Sequence, residues 1–284
     1  MNFAPEPLHR SDAEFDRLIV SERRRAKSRQ TNLAAALSLA FLVAFLGAWE
    51  LVHATGLIKP IFVSDPQSVA RAVIVLLGKM STWAAVQATF VAALCGLVVG
   101  ALLGIVSGIL MARSPVLWRA FHPYLTIFNA LPRPALAPIF ILWFGLGALP
   151  KIAVAVTIVF FVLVLNTMAG IGSVPADILF LSRSLGMTSW QRFWIVELPH
   201  ATPTIVAGLR LGAVYAVLGV VVSEIVAANE GLGQLLVQYT NQFSIAESFA
   251  VLALMAALAI VLDLGVSVIQ RRLSWSSETR AGAR

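Results

Sequence analysis

Long apolar stretches alternate with short polar segments along the whole of this chain. A helix needs about 20 apolar residues to cross the hydrocarbon core of a bilayer. Six stretches reach that length, and they occupy residues 32–53, 83–111, 121–144, 148–171, 202–228 and 247–269. The pattern therefore predicts an all-α membrane protein with six transmembrane helices.

Two further segments between the predicted spans are too short or too polar to cross a membrane. Residues 67–79 predict an amphipathic helix on the membrane surface, which Asp65 can cap and which has Pro66 at its first position. Residues 229–243, which contain Gly231 and Gly233, predict a short surface or re-entrant helix.

Composition agrees with a membrane protein. Of the 284 residues, 59% are hydrophobic and 12% are charged, whereas a soluble domain carries about 25% charged residues. The net charge of +7 does not indicate a nucleic-acid partner, because most lysines and arginines flank the apolar stretches. The one cysteine, Cys95, lies inside an apolar stretch, so no disulfide can form within the chain.

The distribution of basic residues predicts which segments face the cytoplasm, because cytoplasmic loops are rich in lysine and arginine. With the amino terminus inside, the outer segments hold Lys59, Arg71, Lys79 and Lys151. The inner segments hold Arg10, Arg17, Arg23, Arg24, Arg25, Lys27, Arg29, Arg113, Arg119, Arg183, Arg192, Arg271, Arg272, Arg280 and Arg284. We therefore expect a cytoplasmic tail at residues 1–32, a membrane domain at 33–272 and a second cytoplasmic tail at 273–284.

The polar segment 175–199 lies between two strongly apolar stretches. Gly186 divides it into two short predicted helices, since glycine commonly ends a helix in the left-handed conformation. Thr188 and Gln191 fit a capping box at the start of the second helix, and Pro199 is expected to end it. A long polar segment of this kind is either a docking site for a partner or an ordinary interfacial loop.

The end of this segment resembles the cytoplasmic loop signature of ABC importer permeases. That signature is Glu-Ala-Ala, three residues, Gly, nine residues and Ile-x-Leu-Pro. Here Gly186 is followed after nine residues by Val196-Glu197-Leu198-Pro199, while the Glu-Ala-Ala positions depart from the signature and hold Phe180-Leu181-Ser182. The resemblance implies a coupling helix that docks on a cytoplasmic ATPase. The implied contact residues are Ser182, Arg183, Ser184, Leu185, Gly186, Met187, Thr188, Leu198 and Pro199.

A longer resemblance extends over about residues 33–273. The stretches LPRPALAPIFILWFGLGALPK, GLRLG, VVSEIVAANEGLG and LDLGVSVIQRRL are similar to the branch of ABC importer permeases that serves nitrate, sulfonates and taurine. The resemblance implies the type I ABC importer permease fold, in a bacterial plasma membrane, forming the path of a small anionic solute. The implied partners are a second copy of the chain, two cytoplasmic ABC ATPase subunits, membrane lipid, and a periplasmic or lipid-anchored substrate-binding protein.

Motifs that would indicate an enzyme are absent from the sequence. No G-x-x-x-x-G-K-[ST] phosphate loop occurs, so we expect no cofactor in this chain and ATP bound by a partner subunit. The histidines lack metal-ligand spacing, and no G-x-S-x-G or H-E-x-x-H motif appears. Two alternatives to an ATP-driven permease are a carrier or channel driven by an ion gradient, for which we find no convincing internal repeat, and a membrane scaffold without transport.

Charged residues inside predicted spans need partners or water, because one at mid-bilayer costs about 2.5–3.5 kcal/mol. Arg210 and Asp263 each lie about eight residues from the inner ends of their spans, or about 12 Å deep at 1.5 Å per residue. We predict that they pair. Glu224 lies near the outer end of the fifth span, where it belongs either to a gate on the translocation path or to a brace for the outer segment.

Arg133 is flanked by Pro132 and Pro134 near mid-depth of the third predicted span. Prolines leave backbone carbonyls without partners, and irregular backbone inside a membrane usually lines a cavity. We therefore predict that Pro132 and Arg133 line the translocation path, where a guanidinium can bind an anion through two parallel hydrogen bonds. The alternatives are that Arg133 neutralises a carboxylate on a neighbouring helix or extends to the membrane interface.

Glycines spaced four residues apart form a stripe along one face of the second predicted span, at Gly96, Gly100, Gly104 and Gly108. Such stripes allow two helix backbones to approach closely in lipid. We expect packing against another helix of the same bundle; a dimer face or the translocation path are the alternatives.

Overall fold

The computed structural model describes the backbone of residues 10–56 and 62–281. Lys59, the first nine residues of the predicted amino-terminal tail and residues 282–284 lie outside the described residues. Within the described residues the chain is helical apart from short connections, and it forms two units, residues 1–66 and 67–284.

The first unit is built around α1, a helix of 45 residues from Arg10 to Ala54. Its apolar part, Leu33–Ala54, has nearly the extent of the first predicted span. The helix also continues through residues 10–32, because this polar stretch contains neither proline nor glycine to interrupt it. After α1 the indole N–H of Trp49 donates to the Ser64 carbonyl at 2.8 Å, which holds the following chain against the helix.

The second unit has three long central helices surrounded by shorter ones. Its helices are, in chain order, α2 (Pro66–Leu77), α3 (Met80–Arg113), α4 (Pro115–Ala130), α5 (Ala137–Phe144), α6 (Ala148–Gly172), α7 (Ala176–Ser184), α8 (Ser189–Arg192), α9 (Leu198–Ala227), α10 (Leu232–Asn241) and α11 (Ile245–Ala281). The central helices α3, α6 and α9 bury a continuous core of mainly Ala, Val and Leu side chains. α10 packs against α9, α11 and α3, and α11 continues beyond its apolar part, Ile245–Val268, into the predicted carboxy-terminal tail.

The glycine stripe of α3 packs against α6, inside the bundle. A Cβ added to Gly100 would lie 2.8 Å from the Val159 Cβ, and one added to Gly104 would lie 2.7 Å from the Leu163 Cβ. Real Cβ atoms do not approach this closely, so the two backbones meet only because the side chains are missing. Of the three surfaces that the sequence left open for this stripe, the structure places it on a neighbouring helix of the same chain.

The third predicted span, residues 121–144, is not one continuous helix. α4 ends at Ala130, a 3₁₀ turn covers Arg133–Leu136, and α5 follows at an angle of 86°. The break occurs at Leu131, whose extended conformation (ψ 136°) is the one that a following proline favours. The irregular backbone that the prolines predicted inside this span is therefore present, as a sharp bend between two shorter helices.

The expected end of a helix at Pro199 was wrong. The chain runs from α8 through a π turn, Phe193–Glu197, directly into α9. Pro199 is the second residue of α9 and lies directly after the π turn, where the departure from regular α-helical geometry accommodates a proline. The 175–199 segment is consequently joined to α9 by continuous helix.

Five helices within the described residues are long and apolar enough to cross a membrane. The bent pair of α4 and α5 brings the number to six if it counts as one span. The predicted class, an all-α membrane protein with six membrane segments, is confirmed.

Candidate functional site

A tight turn at Gly186 separates the two helical parts of the 175–199 segment. Gly186 follows α7 and has φ +72°, the left-handed conformation. The Met187 N–H donates to the Ser182 carbonyl at 3.1 Å, and the Gly186 N–H donates to the Arg183 carbonyl at 2.9 Å. These two bonds form a Schellman motif, which satisfies the last carbonyls of a helix. No atom lies within 4 Å of where a Cβ on Gly186 would be, so the backbone conformation alone selects glycine.

A capping box begins the second helical part. The Thr188 N–H donates to Gln191 Oε1 at 2.9 Å, and the Gln191 N–H donates to Thr188 Oγ1 at 3.3 Å. In the π turn that follows α8, residues about five apart lie on the same side. Arg192 and Glu197 have that spacing and form a salt bridge of 2.9 Å. The bridge spans the π turn and fixes α8 to the start of α9.

The 175–199 segment exposes large apolar side chains. Ser182 is buried, and its hydroxyl donates to the Leu179 carbonyl at 2.8 Å. The exposed large apolar side chains are those of Ile178, Phe180, Leu181, Leu185, Trp190, Trp194 and Ile195. Exposed patches of this kind commonly mark surfaces that bind another protein or a membrane. Of the residues predicted to contact an ATPase, those that are at least partly exposed are Arg183, Ser184, Leu185, Gly186, Met187, Thr188, Leu198 and Pro199.

Arg113, the last residue of α3, connects the central bundle to the 175–199 segment. Its guanidinium carbon lies 4.6 Å from the ring centre of Phe193 and 5.8 Å from that of Trp190, distances typical of cation–π contacts. Phe193 is buried, while Trp190 is exposed. A cavity of about 500 Å³ adjoins this contact and is lined by α3, α4, α6 and the segment, including Trp118, Arg192 and Glu197.

The structure brings Arg210 and Asp263 together. Arg210 Nε and Nη2 each donate to a different oxygen of the Asp263 carboxylate at 2.9 Å, which is the bidentate geometry of a strong ion pair. The two side chains remain 46% and 24% exposed, so the pair lies on the surface of the chain between α9 and α11.

Glu224 lies at the end of the bundle opposite the 175–199 segment and is 1% exposed. Its carboxylate accepts from the Thr89 hydroxyl of α3 at 3.0 Å and from Lys151 Nζ of α6 at 3.2 Å. Lys151, counted from the sequence among the basic residues of the outer side, is a buried residue of α6 and is 2% exposed. Of the two roles that the sequence left open for Glu224, its contacts with α3, α6 and the start of α10 favour the brace.

The backbone around the start of α10 completes what we call the Glu224 cluster, which consists of Thr89, Lys151, Glu224 and the backbone of residues 230–233. The Gly233 N–H donates to Glu224 Oε2 at 2.8 Å, and the Leu232 N–H donates to Thr89 Oγ1 at 2.9 Å. Lys151 Nζ donates to the carbonyl of Glu230 at 2.7 Å. The cluster therefore joins α3, α6, α9 and α10.

Arg133 lies at the bend between α4 and α5, just after the exposed Pro132. Its Nη2 donates to the carbonyl and side-chain oxygens of Asn129, and its guanidinium carbon lies 4.6 Å from the ring centre of Phe161. Arg133 Nε is buried without a hydrogen-bond partner, and none of the described carboxylates lies within 4 Å of the guanidinium. Phe161 also lines an apolar cavity of about 620 Å³ between α3, α4 and α6.

Sequence reasoning did not identify several residues of these sites. Arg113 and Lys151 were counted only as loop charges, and the aromatic run after Thr188 was not considered. The detectable signal for Phe193 and Trp190 was a cluster of aromatic residues in a segment otherwise polar. The partners of Lys151 had no local signal, because Glu224 is 73 positions away in the sequence.

Comparisons with known proteins agree with this architecture. A solved inward-facing structure of the MetNI methionine ABC transporter matches with a TM-score of 0.56 and 23% identity, over 69% of this chain and 95% of that chain. The taurine transport system permease protein of Escherichia coli (strain K12) is 31% identical over 260 residues, 89% of this chain and 93% of that protein. The riboflavin transport system permease protein of Chloroflexus aurantiacus is 37% identical over 191 residues, 67% of this chain and 71% of that protein.

The fold is that of a type I ABC importer permease. Residues 100–275 match the family described as binding-protein-dependent transport system inner membrane component, and the chain belongs to that family. It is a multi-pass inner-membrane protein and a non-catalytic permease subunit of an ABC importer.

Proposed function

We propose that two copies of this chain form the translocation path of an ATP-driven importer, and that the ATPase subunits dock on the 175–199 segment. The observation that carries the proposal is the exposed apolar surface of this segment, held in shape by the Schellman motif and the capping box. An ordered apolar surface with polar neighbours supplies both the centre and the rim of a protein interface. ATP then binds only the partner subunits, in keeping with the lack of a phosphate loop.

In this proposal, motion of the 175–199 segment reaches the bundle through two contacts. The Arg192–Glu197 bridge and the π turn lead into α9, and Arg113 joins Phe193 to the end of α3. ATP drives the cycle by binding more tightly to the closed than to the open ATPase dimer. Closure moves both segments, and the path between the two subunits opens outward to receive solute from a periplasmic or lipid-anchored binding protein.

The orientation that this requires places the 175–199 segment and both chain termini in the cytoplasm. Support comes from the distribution of lysine and arginine, which favours the segment and the termini as the inner side.

The proposed solute is a small anion, and Arg133 is the residue expected to hold it. Support comes from the Arg133 guanidinium, whose Nε has no hydrogen-bond partner and which has no carboxylate partner among the described residues. Taurine, named for the relative from Escherichia coli, carries a sulfonate that matches the two-point donor geometry of arginine. The relative named for riboflavin is 37% identical over a shorter stretch, so identity alone does not select the solute and the assignment rests on Arg133.

Substitution of Gly186 by Ala tests the docking proposal. Alanine in the left-handed conformation costs about 1 kcal/mol, so the Schellman motif should loosen and the apolar surface should lose its shape. We expect weaker association with the cognate ATPase subunit and lower ATPase stimulation by the loaded binding protein. The measurements are co-purification yield and stimulated ATPase activity in nanodiscs.

Gly172→Ala is the matched control. Gly172 also has open space around its Cβ position, but it lies in the helix α6 without a positive φ, so alanine should be tolerated there. Wild-type stimulation in Gly186→Ala, or transport by this chain with no ATPase subunit present, would contradict the proposal.

A further inference from the structure

The helix α10 has no side-chain cap of its own at its amino terminus. Its N-cap residue is Gly231, which has no side chain to accept a hydrogen bond. The first N–H groups of the helix, at Leu232 and Gly233, are instead accepted by Thr89 of α3 and Glu224 of α9. A carboxylate at the amino end of a helix also interacts favourably with the helix dipole. α10 is therefore capped by residues of two other helices.

The chain around Glu224 is shaped to the carboxylate. Gly231 has φ +114°, and a Cβ there would lie 1.9 Å from Glu224 Oε1. A Cβ on Gly233 would lie 2.6 Å from both the Glu224 Cβ and the Val221 carbonyl oxygen. At Gly233 the Val221 carbonyl is too close for any side chain, and at Gly231 the positive φ and the Glu224 carboxylate together disfavour one. The two glycines thus let the start of α10 lie directly on the side chain that caps it.

Lys151 neutralises the negative charge of Glu224 within the cluster. A buried carboxylate without a counter-charge is strongly unfavourable, and so is a buried ammonium. Lys151 Nζ supplies the counter-charge at 3.2 Å and also donates to the Glu230 carbonyl just before α10. Breaking a pair as buried as this one leaves an uncompensated charge, whereas the Arg210–Asp263 pair is partly exposed on the surface of the chain.

We propose that Thr89, Lys151 and Glu224 are positioning residues that lock α10 onto the ends of α3, α6 and α9. This end of the subunit then moves as one rigid body and stays closed during the transport cycle. The path opens between rigid bodies and not by separation of α10 from the bundle. The reference to a transport cycle rests on the proposed function, but the lock itself does not.

Val220 provides a reporter for the lock. It is fully buried, lies one helical turn before Glu224, and differs little in shape from cysteine. In a Cys95→Ser background, the Val220→Cys thiol should remain unlabelled by a water-soluble maleimide, both without nucleotide and after trapping with ATP and vanadate. Met80→Cys, which replaces an 85% exposed residue at the same end, should be labelled in both states. Labelling of Val220→Cys in either state would overturn the proposal.

The contribution of the Lys151–Glu224 ion pair to the lock is tested with the same Val220→Cys labelling, in the chain without its ATPase partner. Lys151→Met and Glu224→Gln each leave one partner of the pair without its counterpart, so labelling of Val220→Cys should rise more than about tenfold. The Lys151→Met/Glu224→Gln double variant removes both charges. Labelling of Val220→Cys should therefore rise less in the double variant than in either single variant. Asp263→Asn, which alters the exposed pair, should leave labelling unchanged. Equal labelling in all variants, or a double variant that is labelled as fast as the singles, would refute a lock based on charge pairing.

The labelling of nucleotide-trapped protein and the comparison of charge variants distinguish a failure of the lock from a failure of the proposed function. If no ATPase subunit associates with the chain, the nucleotide-trapped state cannot be formed and the proposed function fails. The comparison of charge variants would still report on the lock, because it needs only the folded chain in nanodiscs. Size-exclusion profiles of each variant establish that the labelled protein is folded, and a variant that elutes as aggregate is replaced by the milder Lys151→Gln.

Discussion

The contacts of Arg133 are the basis for proposing an anionic solute. Its guanidinium has Asn129 and Phe161 as neighbours but no carboxylate among the described residues, and its Nε has no hydrogen-bond partner. A hydrogen bond to a charged group contributes about 1.5–3 kcal/mol. We therefore expect Arg133→Gln to lower kcat/KM for taurine uptake in proteoliposomes by about 10- to 100-fold.

Arg119→Gln is the control for this prediction, because Arg119 is an exposed arginine on α4, the same bent pair of helices. It should leave uptake near the wild-type level. Arg133→Lys should recover part of the activity, since lysine keeps the charge but loses the planar two-point donor. Unchanged uptake in Arg133→Gln would assign Arg133 to a structural role at the bend.

Individual residues show which features of the sites could be predicted from the sequence and which could not. Gly186 and the Thr188–Gln191 capping box were predictable because each depends on neighbours within a few positions. Lys151 was not, because its burial depends on Glu224 and on the Glu230 carbonyl, which are brought to it by the fold. A lysine directly after Pro150 at the end of an apolar span has the same local pattern as an interfacial anchor.

For the helices too, features set by neighbouring residues were predictable, whereas features set by contacts distant in sequence were not. The prolines before and after Arg133 indicated irregular backbone, but they did not give the 86° angle between α4 and α5. That angle is set by where α5 packs, which is against α6 and α9. The glycine stripe of α3 likewise indicated close packing, whereas the choice of α6 as its partner depends on complementary residues that lie far along the chain.

Close packing of α3 on α6 gives a prediction for stability. A Cβ on Gly104 would lie 2.7 Å from both the Leu163 Cβ and the Phe160 carbonyl oxygen, and a backbone atom cannot move aside as a side chain can. We expect Gly104→Ala to separate the helices and to destabilise the chain by about 1–3 kcal/mol. The measurement is the apparent Tm by fluorescence-detected size exclusion in detergent.

The control is Gly265→Ala in α11, where no atom lies within 4 Å of the added Cβ. Alanine there should leave the apparent Tm unchanged or raise it slightly, because alanine favours helix over glycine by about 1 kcal/mol. If Gly104→Ala also has the wild-type Tm, α3 and α6 can accommodate the added methyl group without loss of stability.

For the whole molecule, the two ends of the second unit have opposite character. The end with the 175–199 segment exposes apolar side chains beside a cavity of about 500 Å³, whereas the other end buries a complete polar cluster under α10. An end that docks and moves with a partner needs an exposed surface, and an end that must remain intact needs satisfied internal contacts. The difference is consistent with the proposed orientation, in which the end with the 175–199 segment faces the cytoplasm.

That orientation is open to direct measurement on intact cells. In the Cys95→Ser background, Ser184→Cys places a thiol on the exposed surface after α7, and Met80→Cys places one at the opposite end of the bundle. A membrane-impermeant maleimide should label Met80→Cys in spheroplasts and should label Ser184→Cys only after the membrane is permeabilised. Loss of the arginines at positions 23–25 should weaken this bias, since basic residues set the orientation. Labelling of Ser184→Cys from outside would place the 175–199 segment beyond the reach of any cytoplasmic ATPase, and the proposed coupling would then be excluded whatever the segment's surface looks like.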